Sequence, residues 1–349
     1  MPEIDVRPIG LRVAALELTL ECPCRCQTCG SNAGAARDDE LSVSEWLGVV
    51  NELADLGCKW LTLMGGEPLV SPAWPAVARA AVGRGMVVDM VTSGVGMDAT
   101  TAAALFEAGL SSVTVSVDGT AQVHNRLRGV PDGHAHALRA IGLLDAAGLR
   151  VGVTTQINGE NIDTLEALAP ELQSAGAMGW QLQLTIPVGR AAGAHLAAPP
   201  ERMAELHQVL RRLAARPGLR PTLTDNLGYC TADDVQLRTP ARASRPRQWL
   251  GCFAGLAVAG VTSNGTVKGC LALPDACGEG NVRHEPFRQI WGDPKRFAYN
   301  RAFDPASLSG ACADCEHGRH CRGGCTALAM AFHGRPGVSQ HCFRLHGVG

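Results

Sequence analysis

The chain has 349 residues, a hydrophobic content of 46% and a formal net charge of −2. This length suits one large α/β domain and a smaller second domain, with a sizeable buried core. The small net charge argues against a broad nucleic-acid-binding surface. The N-terminal segment is charged and no apolar run reaches the ~18 residues of a membrane span, so we expect a cytoplasmic protein without a signal peptide or a membrane partner.

Apolar runs alternate with amphipathic stretches over the first half of the chain. The strand candidates are Val13–Leu20, Trp60–Met64, Val87–Val91, Ser112–Val117, Val151–Ile157 and Trp180–Ile186. Helical patterns lie between them at Val43–Leu56, Trp74–Gly83, Ala99–Ala108, Ala135–Ala147 and Asn161–Ser174. Repeated strand–helix units of this kind predict an α/β fold whose parallel sheet curls into a partial, TIM-like (β/α)6 barrel.

Unusual residues follow four of these strand candidates. A loop with three cysteines follows the first strand, Gly65-Gly66-Glu67-Pro68 the second, Thr92-Ser93-Gly94 the third and Asp118-Gly119 the fourth. In barrels of this class the carboxyl ends of the strands form one rim, and chemistry takes place there. We therefore expect these segments to meet at a single site.

The alternation stops in the second part of the chain. A polar, Arg-rich helix is expected within Ala197–Asp225, ending in the Pro- and Gly-containing stretch Arg216–Pro221. Further on, Leu256–Ser263 and Thr266–Leu271 are joined through Asn264-Gly265, which predicts a β-hairpin. We expect two domains, 1–225 and 226–349, with the second domain rich in cysteine.

The fourteen cysteines are the strongest functional signal. In a cytosolic protein of this size, cysteines usually serve metals or catalysis rather than disulfides. Groups of three and four thiolates at short gaps are typical of iron–sulfur clusters, with zinc knuckles or ribbons as the alternative. Three of them form a C-x3-C-x2-C run at Cys22, Cys26 and Cys29, and seven more are Cys252, Cys270, Cys312, Cys315, Cys321, Cys325 and Cys342.

The Cys22–Cys29 run resembles the signature of radical S-adenosylmethionine (SAM) enzymes. The resemblance implies that these three thiolates bind a [4Fe–4S] cluster whose fourth iron chelates SAM. One electron, supplied by a flavodoxin- or ferredoxin-type donor, would then cleave SAM to a 5′-deoxyadenosyl radical that abstracts hydrogen from a substrate. Cys24 lies inside the run and is interpreted as a loop residue, because the family spacing omits it.

Two more segments are similar to the SAM-binding parts of this family. Gly65-Gly66-Glu67-Pro68 matches a segment that binds the methionine ammonium, and Ser116-Val-Asp118-Gly119 followed by Arg128 matches one that binds the methionine carboxylate. Gln156 is expected to face adenosine or substrate, or else to pack. The complete set of expected cofactor-binding residues is Gly65, Gly66, Glu67, Pro68, Ser93, Ser116, Asp118, Arg128 and Gln156.

The C-terminal cysteines resemble the SPASM extension of the same superfamily, whose members carry two auxiliary [4Fe–4S] clusters. The resemblance assigns four ligands to the outer cluster, namely Cys312, Cys315, Cys321 and Cys342. It assigns three to the inner cluster, namely Cys252, Cys270 and Cys325. Cys230 is the nearest candidate for a fourth inner ligand, and otherwise the inner cluster has an open iron. Three alternatives stay open for both Cys230 and Cys277: a cluster ligand, a hydrogen-atom donor or an inert residue.

Relatives with auxiliary clusters mostly modify ribosomally made peptides by cross-linking, epimerisation or oxidation, so the resemblance implies a peptide maturase. The alternative is a radical SAM oxidoreductase or epimerase that acts on a small molecule such as an aminoglycoside or a sugar. A non-catalytic electron carrier is disfavoured, because such a protein needs no SAM-binding segments. Since Cys22 lies close to the N-terminus, we expect no leader-binding domain, and either a separate leader-peptide-binding protein or direct recognition. The sequence names neither the substrate nor the bond formed.

Overall fold

The structure is a computed structural model that describes residues 10–224, 226–227, 231–240 and 243–348. Within them, ten strands belong to one sheet. The strands are β1 (Val13–Glu17), β2 (Trp60–Met64), β3 (Val87–Thr92), β4 (Ser112–Ser116), β5 (Arg150–Ile157), β6 (Gly179–Leu184), β7 (Pro221–Leu223), β8 (Val258–Val261), β9 (Thr266–Lys268) and β10 (Gly280–Asn281). Their order across the sheet is β10-β9-β8-β1-β2-β3-β4-β5-β6-β7.

Helices cover the sheet and connect its strands. They are α1 (Val43–Asp55), α2 (Trp74–Gly83), α3 (Ala99–Glu107), α4 (Ala121–Arg128), α5 (Gly133–Ala146), α6 (Leu165–Ser174), α7 (Arg190–Ala194), α8 (Met203–Ala215), α9 (Asp234–Arg238), α10 (Phe287–Gly292), α11 (Ala298–Arg301), α12 (Gly318–Cys321) and α13 (Thr326–His333). None of the described helices combines the length and the apolar composition that a membrane span requires.

The seven strands β1 to β7 pair in parallel, each with its neighbour in the chain. Side chains such as Leu61, Val88 and Val113 are completely buried between the sheet and its helices. The helices contribute Trp46 and other apolar residues at helical spacing. Because β7 and β10 lie at opposite edges, the sheet is open, and the predicted partial barrel is confirmed.

The predicted hairpin is present and extends the barrel sheet. Strands β8 and β9 pair antiparallel, and β8 also pairs in parallel with β1. The segment after β9 folds back across β8. The close approach is seen at Gly260, where an added Cβ would lie 2.7 Å from Cγ of Leu271. The C-terminal domain therefore brings Cys270, next to Leu271, against the face of the barrel sheet.

The six predicted barrel strands are found where the apolar runs place them, whereas α4 and β7 are among the elements that were not predicted. Helix α4 is short and mostly polar, with His124 and Leu127 as its buried residues, so no apolar run marks it in the sequence. Strand β7 has three residues and begins at Pro221, which reads as a breaker in the sequence. The Arg-rich helix expected within Ala197–Asp225 is confined to α8.

Candidate functional site

Cys22, Cys26 and Cys29 lie in the loop that follows β1 and line one cavity of about 370 Å³. Arg190, which follows β6, fixes this loop from across the same end of the barrel. Its Nε donates to the carbonyl oxygen of Cys26 at 2.9 Å, and its backbone N–H donates to that of Cys29 at 3.0 Å. Sequence analysis missed Arg190, although its position after Gly189 at the carboxyl end of the sixth strand was an available signal.

Cys24 is also part of the cavity wall and is almost fully buried, with 1% of its surface exposed. A hydrogen bond between the Cys22 and Cys24 thiols is the main reason that the pKa of Cys24 is raised. A hydrogen bond between Cys24 and Cys26, together with burial, likewise raises the pKa of Cys26. Cys24 therefore lies between two of the three motif thiols, in contact with Ser93.

The two glycines after β2 permit a close approach of backbone segments. A Cβ on Gly65 would lie 2.5 Å from the Thr19 carbonyl oxygen, and one on Gly66 would lie 2.6 Å from that of Leu20. The Gly66 N–H donates to Thr19 O at 2.7 Å. The chain's own cysteine loop thus crosses directly over Gly65-Gly66, which explains why side chains are excluded there.

Glu67 lies behind the cavity wall and is fully enclosed, with 1% of its surface exposed. Its carboxylate accepts hydrogen bonds from Thr92 Oγ1 at 2.7 Å, from Ser93 N at 2.8 Å and from Ser93 Oγ at 2.6 Å. Burial raises the pKa of Glu67, and these hydrogen bonds oppose that change. Glu67 thus ties the end of β3 to the glycine segment, and Pro68 continues from it as a buried 3-10 turn.

Asp118 and Arg128 form an ion pair beside the cysteine loop. Arg128 Nε lies 2.7 Å from Asp118 Oδ2, and Arg128 Nη1 approaches Cys26 Sγ at 3.8 Å. Burial lowers the pKa of Arg128, but the Asp118 carboxylate together with Cys26 and Cys24 outweighs burial, and the pKa is raised. The Arg128 carbonyl accepts from Arg25 N at 3.0 Å, so the end of α4 also holds the cysteine loop.

A polar network fixes Asp118 at the end of β4. Its Oδ1 accepts from Gln156 N at 2.9 Å, and its carbonyl accepts from Asn161 Nδ2 at 2.8 Å. The Asp118 N–H donates to His124 Nδ1 at 3.0 Å. Burial lowers the pKa of His124 to about 3, which keeps the ring neutral and able to accept. Asn161 and His124 were not predicted as residues of this site, because their contacts join residues of different elements.

The predicted cofactor residues therefore divide into two groups. Those that line the cavity are Gly65, Gly66, Ser93, Ser116, Arg128 and Gln156. The other three, Glu67, Pro68 and Asp118, are buried and support the wall. The cavity also reaches the C-terminal domain, where its wall includes Cys270–Ala272.

The four cysteines of the predicted outer set line a second cavity, of about 230 Å³. Burial raises the pKa of Cys321 to about 12, and a hydrogen bond with the Trp249 indole opposes the increase. The charges of Cys312 and Cys342 also act on Cys321. The structure brings Cys312, Cys315, Cys321 and Cys342 together here, and Cys325 of the predicted inner set lines the same cavity.

The three cysteines of the predicted inner set also lie together. Burial raises the pKa of Cys325, and Cys252 and Cys270 add to the increase. All three pack against a buried cluster that contains Cys277. Cys277 is therefore a neighbour of the inner set, whereas Cys230 lies outside the described residues.

The donor chemistry of these sites fits iron–sulfur clusters. Thiols of the first set and of the outer set line two cavities, and the three thiols of the inner set pack together against one buried cluster. Thiolates are the ligands that such clusters require. Among the described side chains, no three His, Cys, Asp or Glu groups meet at the spacing of ligands around a single metal ion.

Comparison with known families identifies both parts of the chain. Residues 16–171 match the radical SAM superfamily, and residues 252–316 match the SPASM iron–sulfur cluster-binding domain. The chain is 30% identical over 344 residues to a mycofactocin maturase of Mycobacterium ulcerans, which covers 95% of this chain and 88% of the relative. It is 27% identical over 344 residues to an AdoMet-dependent heme synthase of Methanosarcina barkeri, covering 92% of each.

A similar fold occurs in a solved structure. SuiB of Streptococcus suis, bound to its precursor peptide SuiA, superposes with a TM-score of 0.71 at 14% identity, covering 96% of this chain and 75% of SuiB. The arrangement of cysteines, the open parallel sheet and both family matches agree. The chain is an enzyme of the radical SAM superfamily with a C-terminal SPASM iron–sulfur cluster-binding domain.

Proposed function

We propose that this enzyme abstracts a hydrogen atom from a ribosomally made peptide and so cross-links, epimerises or oxidises it. The observation that supports this proposal most is the single cavity bordered by the Cys22–Cys29 loop and by Cys270–Ala272. A peptide segment in that cavity would touch the SAM site on one side and the C-terminal domain on the other. Flavodoxin- or ferredoxin-type donors and a leader-peptide-binding protein are proposed partners.

We assign three [4Fe–4S] clusters to the cysteine groups. The SAM-binding cluster takes Cys22, Cys26 and Cys29, and the outer auxiliary cluster takes Cys312, Cys315, Cys321 and Cys342. The inner auxiliary cluster takes Cys252, Cys270 and Cys325. The first cluster and SAM, when bound, supply the one-electron cleavage of the sulfonium that starts the reaction.

The protein's own groups would bind and orient SAM. Ser116 and Arg128 face the cavity where we place the methionine carboxylate, and the Asp118 ion pair holds the Arg128 side chain in position. The methionine ammonium would meet the backbone of Gly65-Gly66 and Ser93, whose positions Glu67 fixes through its hydrogen bonds. Gln156 lines the remaining wall towards adenosine.

The cavity wall favours a peptide over a substrate with many charges. Its charged side chains within the described residues are Arg128 and Arg190, and both already bind protein groups. The amides of Gln156, Gln183 and Asn226 line the same cavity. Amide side chains donate to and accept from peptide groups, so they suit a peptide backbone better than the several carboxylates of a tetrapyrrole.

The experiment uses a synthetic peptide encoded by a short open reading frame next to the gene, deuterated at its side chains. The reconstituted enzyme, SAM and dithionite are expected to give a modified peptide and to transfer deuterium into 5′-deoxyadenosine. The matched control is Cys29→Ala, which loses a cluster ligand and is expected to give neither product. Deuterium transfer from a sugar, an aminoglycoside or a tetrapyrrole, with none from the peptide, would contradict the proposal.

The fourth position of the inner cluster is proposed to be open, so that a substrate thiolate or amine binds the iron. Cys230 and Cys277 are the competing thiolates, since Cys277 packs in the same buried cluster as the inner set. Mössbauer and EPR spectra of Cys230→Ala and Cys277→Ala, recorded before substrate is added, distinguish these cases. Spectra identical to those of the wild type are expected, and a changed inner-cluster signal in either variant would identify that cysteine as the ligand.

A further inference from the structure

Arg322 is a buried arginine between the two auxiliary cysteine sets. It directly follows Cys321 of the outer set, and 5% of its surface is exposed. Its backbone adopts the left-handed conformation, with φ of 56°, which is unfavourable for a residue with a side chain. Helix α12 ends at this residue, and the Arg322 guanidinium is directed into the protein.

The guanidinium packs against the backbone that leads into the inner set. Arg322 Nη2 donates to the Cys252 carbonyl oxygen at 2.7 Å and to that of Leu250 at 3.3 Å. Gly251 lies directly beneath it, since a Cβ there would be 2.5 Å from Arg322 Nε. The Arg322 guanidinium therefore contacts the segment that carries Cys252, while its own backbone follows Cys321.

The positive charge of Arg322 has no carboxylate partner among the described residues. Its Nε and Nη1 are buried and make no hydrogen bond there, and the ionisable groups that act on it are Cys252 and Cys321. Arg296 of the same domain differs, because it pairs with Glu285 at 2.8 Å. A buried charge is costly without an opposite charge nearby, so an anion is expected on either side of Arg322.

Iron–sulfur clusters ligated by thiolates are anionic, and the proposed ligand sets place one at Cys252 and one at Cys321. We propose that Arg322 is the shared counter-cation of the two auxiliary clusters and raises the reduction potential of both, an inference that rests on those ligand sets. Reduction adds one electron and one negative charge to a cluster, so a fixed neighbouring cation stabilises the reduced form more than the oxidised form. The two auxiliary clusters thereby become better acceptors for an electron leaving the substrate.

The test is an EPR-monitored redox titration of the anaerobically reconstituted full chain with dithionite. In Arg322→Gln and Arg322→Met, we expect the ratio of reduced to oxidised cluster at a fixed potential to fall at least tenfold for both auxiliary clusters. For a one-electron couple, a tenfold change corresponds to a decrease of about 59 mV in the reduction potential. The SAM-binding cluster, identified by the change of its signal on SAM addition, keeps its potential. Arg322→Lys, which retains the charge, is expected to restore most of the shift.

The matched control is Arg301→Gln. Arg301 is a partly buried arginine of the same domain that stacks on Trp291 and donates to the Gly255 carbonyl oxygen, and no cysteine is among the charged groups that act on it. Its removal should leave all potentials unchanged. Unaltered potentials in the neutral Arg322 variants, or a shift of only one auxiliary cluster, would overturn the shared role.

Iron content separates this inference from the ligand assignments. A wild-type chain without two auxiliary clusters would refute the ligand sets themselves. Loss of auxiliary iron from the neutral variants but not from Arg322→Lys would support a counter-cation, because only the charge distinguishes them. Loss of auxiliary iron from all three variants would overturn the electrostatic role, because it would show that Arg322 acts through packing.

Discussion

Arg128, to which we assign the methionine carboxylate of SAM, is also held in place by the protein itself. Its Nε is held by Asp118 at 2.7 Å and its Nη1 approaches Cys26, so the guanidinium is fixed before any ligand arrives. A fixed fork loses little side-chain freedom on binding a carboxylate. We therefore expect Arg128 to contribute more to SAM affinity than a flexible surface arginine would.

Replacing Arg128 by alanine should weaken SAM binding roughly ten- to hundredfold, because a lost hydrogen bond to a charged group costs about 1.5–3 kcal/mol. Equilibrium dialysis of SAM against the anaerobically reconstituted variant measures the change, with iron content determined on the same sample. Unchanged affinity would show that the methionine carboxylate binds elsewhere.

Two variants control for side effects of this substitution. Arg128→Lys keeps a cation beside the buried Asp118 carboxylate, so any loss of affinity there reflects the missing fork rather than an unpaired charge. Arg126→Ala alters an exposed arginine of the same helix, whose partner is Glu160, and should leave SAM affinity unchanged.

Part of this site was predictable residue by residue. The cysteine spacing and the segments around Glu67 and Arg128 are local patterns, and the structure brings most of their side chains to one cavity. Arg190 and Asn161 were not predictable in the same way, because each acts through contacts with carbonyl groups of distant segments. The placement of Glu67 behind the wall was also not visible, since burial depends on tertiary packing.

At the scale of elements, the site depends on the crossing of the cysteine loop over the end of β2. The Gly66 N–H donates to Thr19 O, and the Glu67 N–H donates to Glu21 O at 2.7 Å. These bonds continue the β1–β2 pairing beyond the strands themselves. The loop is consequently held by the backbone at the carboxyl ends of β1 and β2, as well as by Arg190 and Arg128.

Gly66→Ala should displace this loop, because the new Cβ would overlap the backbone of Leu20 and Glu21. We expect a loss of about 1–3 kcal/mol in the free energy of unfolding, as in overpacked interiors, together with loss of iron from the first cluster. Thermal unfolding and iron analysis measure both effects.

Gly48→Ala is the matched control for this substitution. Gly48 is exposed within α1, and a Cβ there has no neighbour within 4 Å. Alanine at an exposed helical position should stabilise the protein by about 0.5–1 kcal/mol and leave iron content unchanged. A Gly66→Ala protein that behaved like this control would show that the crossing is not tight.

The elements themselves were predictable to different degrees. Strands such as β3 and β4 carry a buried residue at every second position, and this alternation is visible in the sequence. Helix α4 owes its position to contacts at its end, where Arg128 meets Asp118, and its own sequence is polar. The pairing of β8 with β1 joins residues far apart in the chain, and no local pattern indicates it.

At the scale of the whole molecule, the sheet links the three cysteine sets. Strand β1 leads into the cysteine loop and pairs with β8, while the segment after β9 returns Cys270 to the wall of the cavity where we propose that SAM binds. Arg322 in turn contacts the Cys252 backbone and follows Cys321 of the outer set. Protein contacts therefore connect the first cavity to the inner cysteine set and the inner set to the outer one.

The most direct test of this account is to count iron and sulfide in the anaerobically reconstituted chain while measuring 5′-deoxyadenosine formed from SAM and dithionite. We predict about twelve irons and twelve sulfides per chain, as three four-iron clusters require. Simultaneous replacement of Cys22, Cys26 and Cys29 by alanine should remove about four irons and abolish 5′-deoxyadenosine formation. Zinc retained in place of iron and sulfide after anaerobic purification, or undiminished SAM cleavage in the alanine variant, would contradict the account.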